Sequence, residues 1–128
     1  MLNDVVVRPM IPVKDLKVAQ KFYEDTLGLK PVFVEPGVVA TYGSGERTVN
    51  VYQSEFGGTN KGTTALWEVD DIEGTVRQLR AKGVTFEHYD DMKGVSRSGD
   101  IHQAGPIKVA WLKDPSGNIL SVQNRVAA

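Results

Sequence analysis

An α+β fold is the architecture this sequence predicts: two tandem βαβββ units forming a curved mixed sheet around a cleft, with the helices outside. Three observations lead there. The segment Val13-Lys14-Asp15-Leu16 recurs as Val69-Asp70-Asp71-Ile72, 56 residues later. Each copy is followed by a short helical pattern ended by a glycine, Gly28 in one and Gly83 in the other. Short β-rich runs separated by turn residues then follow in both halves, the signature of one supersecondary unit used twice.

Taken in order, residues 5–13 read as a first strand rich in valine, with Pro9 and Pro12 favouring a sheet edge. Asp15 stands at a helix N-cap, and Leu16, Ala19, Phe22, Tyr23 and Leu27 follow at helical spacing up to Gly28. Strands are expected over 30–35, 38–42 and 48–53, separated by Pro36-Gly37 and Gly43-Ser44-Gly45. Residues 54–62 are polar and glycine-rich, in the manner of a linker. The second unit repeats the pattern with a strand over 63–69. A helix follows, capped by Asp70 or Asp71 and carrying Ile72, Val76 and Leu79, and strands are expected over 84–89, 108–112 and 119–123. Asp114-Pro115-Ser116-Gly117-Asn118 has the composition of a tight turn. The second copy carries about 15 extra residues, placed within 90–107, and a loop of that length is usually functional or mobile. The expected organisation is one domain over 1–128, with units at about 5–53 and 63–124 and the linker at about 54–62.

Alternation along the strands sorts the side chains into two faces. Val49, Val51, Ala65, Trp67, Val69, Leu120 and Val122 form the set that packs under the helices. Thr48, Asn50, Tyr52, Thr64, Leu66, Glu68, Ile119, Ser121 and Gln123 form the set that lines the cleft, with Arg8 and Met10 on the first strand.

Composition excludes several classes of function. Fifteen Lys and Arg against sixteen Asp and Glu leave a formal charge of −1, without the cationic excess of a general nucleic-acid binder. No run approaches the roughly 18 apolar residues of a membrane span. The absence of cysteine rules out disulfides, thiol nucleophiles and Cys-ligated zinc. The first four residues lack the basic and apolar blocks of a signal peptide, so a cytoplasmic location is expected.

Ile11-Pro12-Val13-Lys14-Asp15-Leu16, with Phe22-Tyr23 and Leu27-Gly28-Leu29, resembles the opening of the vicinal oxygen chelate superfamily. That group includes glyoxalase I, extradiol dioxygenases, fosfomycin-resistance enzymes and bleomycin-resistance proteins. The segment from Ala110 to Leu120 is similar to the superfamily's closing segment. Enzymes of the group hold one divalent metal with His and Glu from four strands, and the resemblance carries those positions onto Arg8, Asn50, Thr64 and Ser121. None is a usual metal ligand, and a guanidinium would repel the ion. Shifting the match by one residue supplies no ligand either. No metal and no cofactor are therefore expected.

Two histidines remain, His88 at the end of a strand and His102 in the extra segment beside Asp100. Each is either a solvated or locally bonded histidine or a polar contact for a ligand under a lid. Tyr52 and Trp111 are candidates for an aromatic wall against a planar ligand, and Trp111 alternatively fills the junction between units. The expected ligand-binding set is Arg8, Asn50, Tyr52, Thr64, His88, His102, Trp111 and Ser121, with catalytic residues unassigned. The favoured reading is a metal-free protein that binds or sequesters a small organic ligand or antibiotic, as a homodimer. The alternative is a glyoxalase-, isomerase- or dioxygenase-type enzyme acting on a small carbonyl or vicinal-oxygen substrate. If Arg8 faces the cleft, it needs Glu68, Asn50, Gln123 or an anion as partner.

Overall fold

The computed structural model describes residues 1–125, so the last three residues of the expected 1–128 domain lie outside the described residues. Asp15 caps the first helix as expected, its carboxylate accepting the N–H groups of Lys17 and Val18 at 3.0 and 3.2 Å. That helix, α1 (Leu16–Lys21), then widens into a π-helical turn over Phe22–Thr26, closed by Leu27 N–H on the Phe22 carbonyl. The spacing had predicted one continuous helix. Within the wider turn Tyr23 is fully buried, and its ring lies 6.1 Å from that of Tyr42. Gly28 takes φ of +74° where the chain leaves the helix, a conformation that costs other residues a steric clash.

The first unit forms a four-stranded sheet in the order β1-β4-β3-β2, from β1 (Met10–Val13), β2 (Lys30–Glu35), β3 (Val39–Ser44) and β4 (Arg47–Gln53). The first strand is shorter than the expected 5–13. Its pairing begins where Asn50 N–H reaches the Pro9 carbonyl, and residues 5–9 lie exposed outside the ladder. Pro12 is tolerated because β1 is an edge strand, parallel to β4.

The second unit forms its own six-stranded sheet, from β5 (Thr63–Val69), β6 (Phe86–Glu87), β7 (Ser96–Ser98), β8 (Ile101–Ala104), β9 (Ile107–Lys113) and β10 (Ile119–Asn124). Its helix α2 (Ile72–Ala81) is capped by Asp71, while Asp70 pairs with Arg125. The expected strand 84–89 is reduced to β6 because β9 has only one free edge. β6 pairs with Leu112 and Trp111 on that edge, and β8 takes Val109, Lys108 and Ile107. The extra segment is thus mainly a hairpin added to the sheet, and His102 sits in a strand.

The expected mixed sheet is built as two mixed sheets, one per unit. Their helix-side faces share one core, in which Val51, Ala40, Leu16 and Ala19 meet Leu120, Leu112, Ile72 and Val76. The alternation is borne out on this side: Val49, Val51, Leu120 and Val122 are buried, with Ala65, Trp67 and Val69 packed against them.

The turn Asp114–Asn118 joins the units as well as reversing the chain. Asp114 Oδ1 accepts the N–H groups of Ser116 and Asn118, both at 2.9 Å, and Oδ2 accepts Asn118 Nδ2 at 2.9 Å and the Tyr23 hydroxyl at 2.8 Å. Asn118 Nδ2 also donates to the Pro12 carbonyl, and Ser116 Oγ accepts Lys14 N–H. Burial first, then the Asp114 charge, pushes the Tyr23 phenol far above its usual range, so it remains a donor. The linker is packed here too. A β-carbon on Gly58 would overlap the Ser116 carbonyl, and Gly58 holds φ of +76°. No helix among the described residues is long and apolar enough to cross a membrane.

Candidate functional site

Strand pairing sets members of the expected cleft set in register, Asn50 opposite Met10 and Thr41 in the first sheet and Ser121 opposite Trp111 and Leu66 in the second. In the first unit this group is largely polar and internally bonded. Thr41 Oγ1 donates to Asn50 Oδ1 at 2.6 Å, Asn50 Nδ2 lies 3.3 Å from Met10 Sδ, and Arg8 Nε donates to Thr48 Oγ1 at 2.7 Å. Arg8 is exposed, and its partner is Thr48 in place of Glu68, Asn50 or Gln123. Tyr52 lies in register with Val39 and Pro12 on the same sheet.

The second unit's face is aromatic. Pairing of β9 with β10 and β8 sets Trp111 opposite Ser121, and Val109 opposite His102. The His102 ring meets Trp111 edge-to-face at 4.8 Å, and Tyr89 meets Trp111 the same way at 5.3 Å. His102 is fully buried, and its Nε2 accepts Tyr89 N–H at 2.9 Å, which leaves the proton on Nδ1. Burial, helped by the Arg97 charge, holds this imidazole below its usual range and keeps it neutral, although Asp90 and the Val109 backbone pull the other way. Trp111 Nε1 donates to Thr63 Oγ1. His88 faces Asp100, its Nε2 2.8 Å from Oδ1.

Three buried polar atoms here have no hydrogen-bond partner among the described residues: Thr64 Oγ1, Tyr89 OH and His102 Nδ1. Such atoms are costly inside a protein. Of these three residues Tyr89 lines an open cavity of about 420 Å³, together with Trp111, His88, Lys61, Thr63 and Ile119, with Asp90, Asp91 and Met92 along its edge. A larger hollow of about 700 Å³ lies between the units, bordered by the β3–β4 turn, the middle of β5 and Arg125.

The structure therefore gathers Thr64, His102, Trp111 and Ser121 on the second unit's sheet, with His88 just beyond β6, and leaves Asn50 and Tyr52 on the first sheet with Arg8 ahead of β1. The aromatic neighbours of Trp111 are Tyr89 and His102, while Tyr52 stands on the first unit's sheet. The sequence reading missed Tyr89, Asp100 and Arg80. A signal for Asp100 existed in Gly99-Asp100, a two-residue hairpin turn of the kind that begins with glycine.

The superfamily's metal does not fit the residues present. Its four positions offer a guanidinium bonded to Thr48, an amide engaged by Thr41, and two hydroxyls, divided between two sheets. Among the described residues, no three His, Cys, Asp or Glu side chains converge as a metal site.

Known structures share this fold. A lactoylglutathione lyase from Agrobacterium tumefaciens superposes with a TM-score of 0.68 at 18% identity, covering 94% of this chain and 93% of that one. An antibiotic binding protein from Streptomyces sp. CB03234 gives 0.67 at 18% identity, covering 96% and 98%. A genomically encoded fosfomycin resistance protein from Listeria monocytogenes gives 0.70 at 8% identity, covering 96% and 94%. The family model of the Glyoxalase/Bleomycin resistance protein/Dioxygenase superfamily matches residues 5–122. With that match over nearly its whole length, the chain belongs to this superfamily.

Proposed function

We propose that this is a metal-free protein that binds a small, planar organic ligand on the open face of its second unit, its two units acting as one domain. The observation that carries this reading is the edge-to-face pair of Trp111 and Tyr89 lining a cavity, with the buried His102 ring packed against Trp111. A ligand ring has Trp111 and Tyr89 as apolar wall, and His88 with Lys61 as polar contacts at the rim. The likeness to an antibiotic binding protein agrees with sequestration of a small organic molecule. The alternative, a glyoxalase-, isomerase- or dioxygenase-type enzyme, draws no support from the four metal positions.

The binding species is proposed to be a cytoplasmic homodimer, with neither nucleic acid nor membrane as partner. Met10, Phe33 and Leu66 are 51%, 57% and 48% exposed, which is apolar surface suited to a second copy. Such a dimer offers a way to bring Arg8, Asn50 and Tyr52 of one chain over the aromatic face of another.

The test is titration of intrinsic tryptophan fluorescence with a panel of planar aromatic and aliphatic ligands, in wild type and Trp111→Leu. Saturable quenching by planar ligands that weakens tenfold or more in the variant is expected, the equivalent of about 1.4 kcal/mol. Metal analysis after mild chelation, and sedimentation, check the other two parts. A stoichiometric divalent metal needed for binding, or a persistent monomer, would remove them.

A further inference from the structure

Resting on that cavity as the binding site, we propose that His88, positioned by Asp100 and Arg80, accepts the proton of an acidic hydroxyl on the ligand. The ligand class is then a phenol or enol that arrives uncharged and is held as its anion.

The geometry is that of an oriented base. A carboxylate only accepts hydrogen bonds, so the contact of 2.8 Å to Asp100 Oδ1 puts the proton of neutral His88 on Nε2 and leaves the lone pair on Nδ1. His88 lines the cavity and its side chain is 41% exposed, whereas Asp100 is 20% exposed. Asp100 is held in turn from α2, where Arg80 Nη2 and Nε both reach Oδ2, at 2.6 and 3.1 Å. The tip of the β7–β8 hairpin thus ties His88 to a helix of the core. His88, and after it Arg80, keeps the Asp100 carboxyl below its usual range, so it remains an anion.

The neighbouring charges leave His88 this role. Asp90 is taken by two bonds from Arg97. The His102 ring is 6.4 Å away, neutral, with Nε2 occupied by Tyr89. Lys61 and Asp91 line the cavity with opposite charges. A ligand that arrives ionised meets the Asp91 charge at the rim, whereas a neutral hydroxyl carries no charge for it to repel. On transfer the ligand O–H bond breaks and an N–H bond forms at His88 Nδ1, with nothing oxidised or reduced. The imidazolium lies between the ligand anion and the Asp100 carboxylate, while Arg80 and Lys61 offset the remaining charge.

The experiment uses 4-nitrophenol and its methyl ether, 4-nitroanisole, at a pH just below the phenol's own midpoint. Tryptophan quenching reads binding of either probe, and the visible band of the phenolate reads proton transfer. Wild type is expected to bind both probes and to increase the phenolate band on binding the phenol. His88→Gln should lose the band increase and bind the phenol about tenfold more weakly, a larger loss than it shows for the ether. Asp100→Asn should reduce the band increase while leaving ether binding unchanged, which a merely structural role would not do. Equal binding of both probes by wild type without a band increase would overturn the proposal and leave the site standing. An increase that survives in His88→Gln would overturn it too. Failure of both probes to quench would remove the cavity as a site, and the proposal with it.

Discussion

The two units begin from the same strand–helix pattern and end with different open faces. In the first, Thr41, Asn50, Met10, Arg8 and Thr48 bond to one another, so the surface is polar and largely self-satisfied. In the second, Trp111, Tyr89 and His102 form an aromatic cluster whose Tyr89 hydroxyl has no hydrogen-bond partner among the described residues. The source of the difference is the extra segment. It adds β7 and β8 to the sheet, places His102 beside Trp111 and brings Asp100 to His88. The lesson is that an insertion made as a hairpin extends a sheet face and turns one copy of a repeat into a candidate pocket, while the other copy keeps the plain scaffold.

The largest effect is expected where the two units meet, because both depend on that joint. Asp114→Ala leaves the Tyr23 hydroxyl and the Asn118 amide without their shared acceptor, in a buried place. The expected loss is about 3 kcal/mol or more in chemical denaturation. A single transition that shifts as a whole would show the units as one cooperative body, and a split transition would break the comparison into two independent halves.

A pH series separates the two faces next. Since burial holds His102 below its ordinary pKa, the unfolded chain takes up a proton before the native one as pH falls. Stability is then complete above about pH 6.5 and declines as pH drops from there toward the depressed value. His102→Phe cannot be protonated, so its stability deficit against wild type should shrink across that window. A constant deficit from neutral to mildly acidic pH would contradict the neutral, buried imidazole.

The smallest effect is expected on the first face. Thr41→Val removes one partly buried hydrogen bond to Asn50 and should cost about 1 kcal/mol. It should leave ligand titrations within one chain unchanged. A large loss of binding in this variant would sharpen the homodimer reading instead, by showing that the first face of one copy closes the pocket of another.

Much of this was legible in local sequence. Asp15, Gly28, Asp71 and Gly83 act where their chemistry requires, because caps and left-handed turns depend on a few adjacent residues. Alternation also separated the buried Val49, Val51, Leu120 and Val122 from the open face, since a strand's two sides follow directly from its backbone. The repeat and its family resemblance were readable for the same reason, being patterns along the chain. What lay beyond it depends on which segments compete for the same neighbour. β6 is short because β8 occupies the rest of one β9 edge, and Arg8 meets Thr48 because β1 begins only at Met10. Asp114–Asn118 has the composition of any tight turn, yet it accepts Tyr23 from 91 residues away and donates to Pro12 from 106. The sequence by itself determined the doubled unit, its caps and its two faces, all of which arise from interactions of short range. Only the tertiary structure decided that His88 meets Asp100, that His102 is buried against Trp111, and that the first unit's candidates stand apart. Those outcomes follow from how the sheets pair and pack, and no local spacing encodes them.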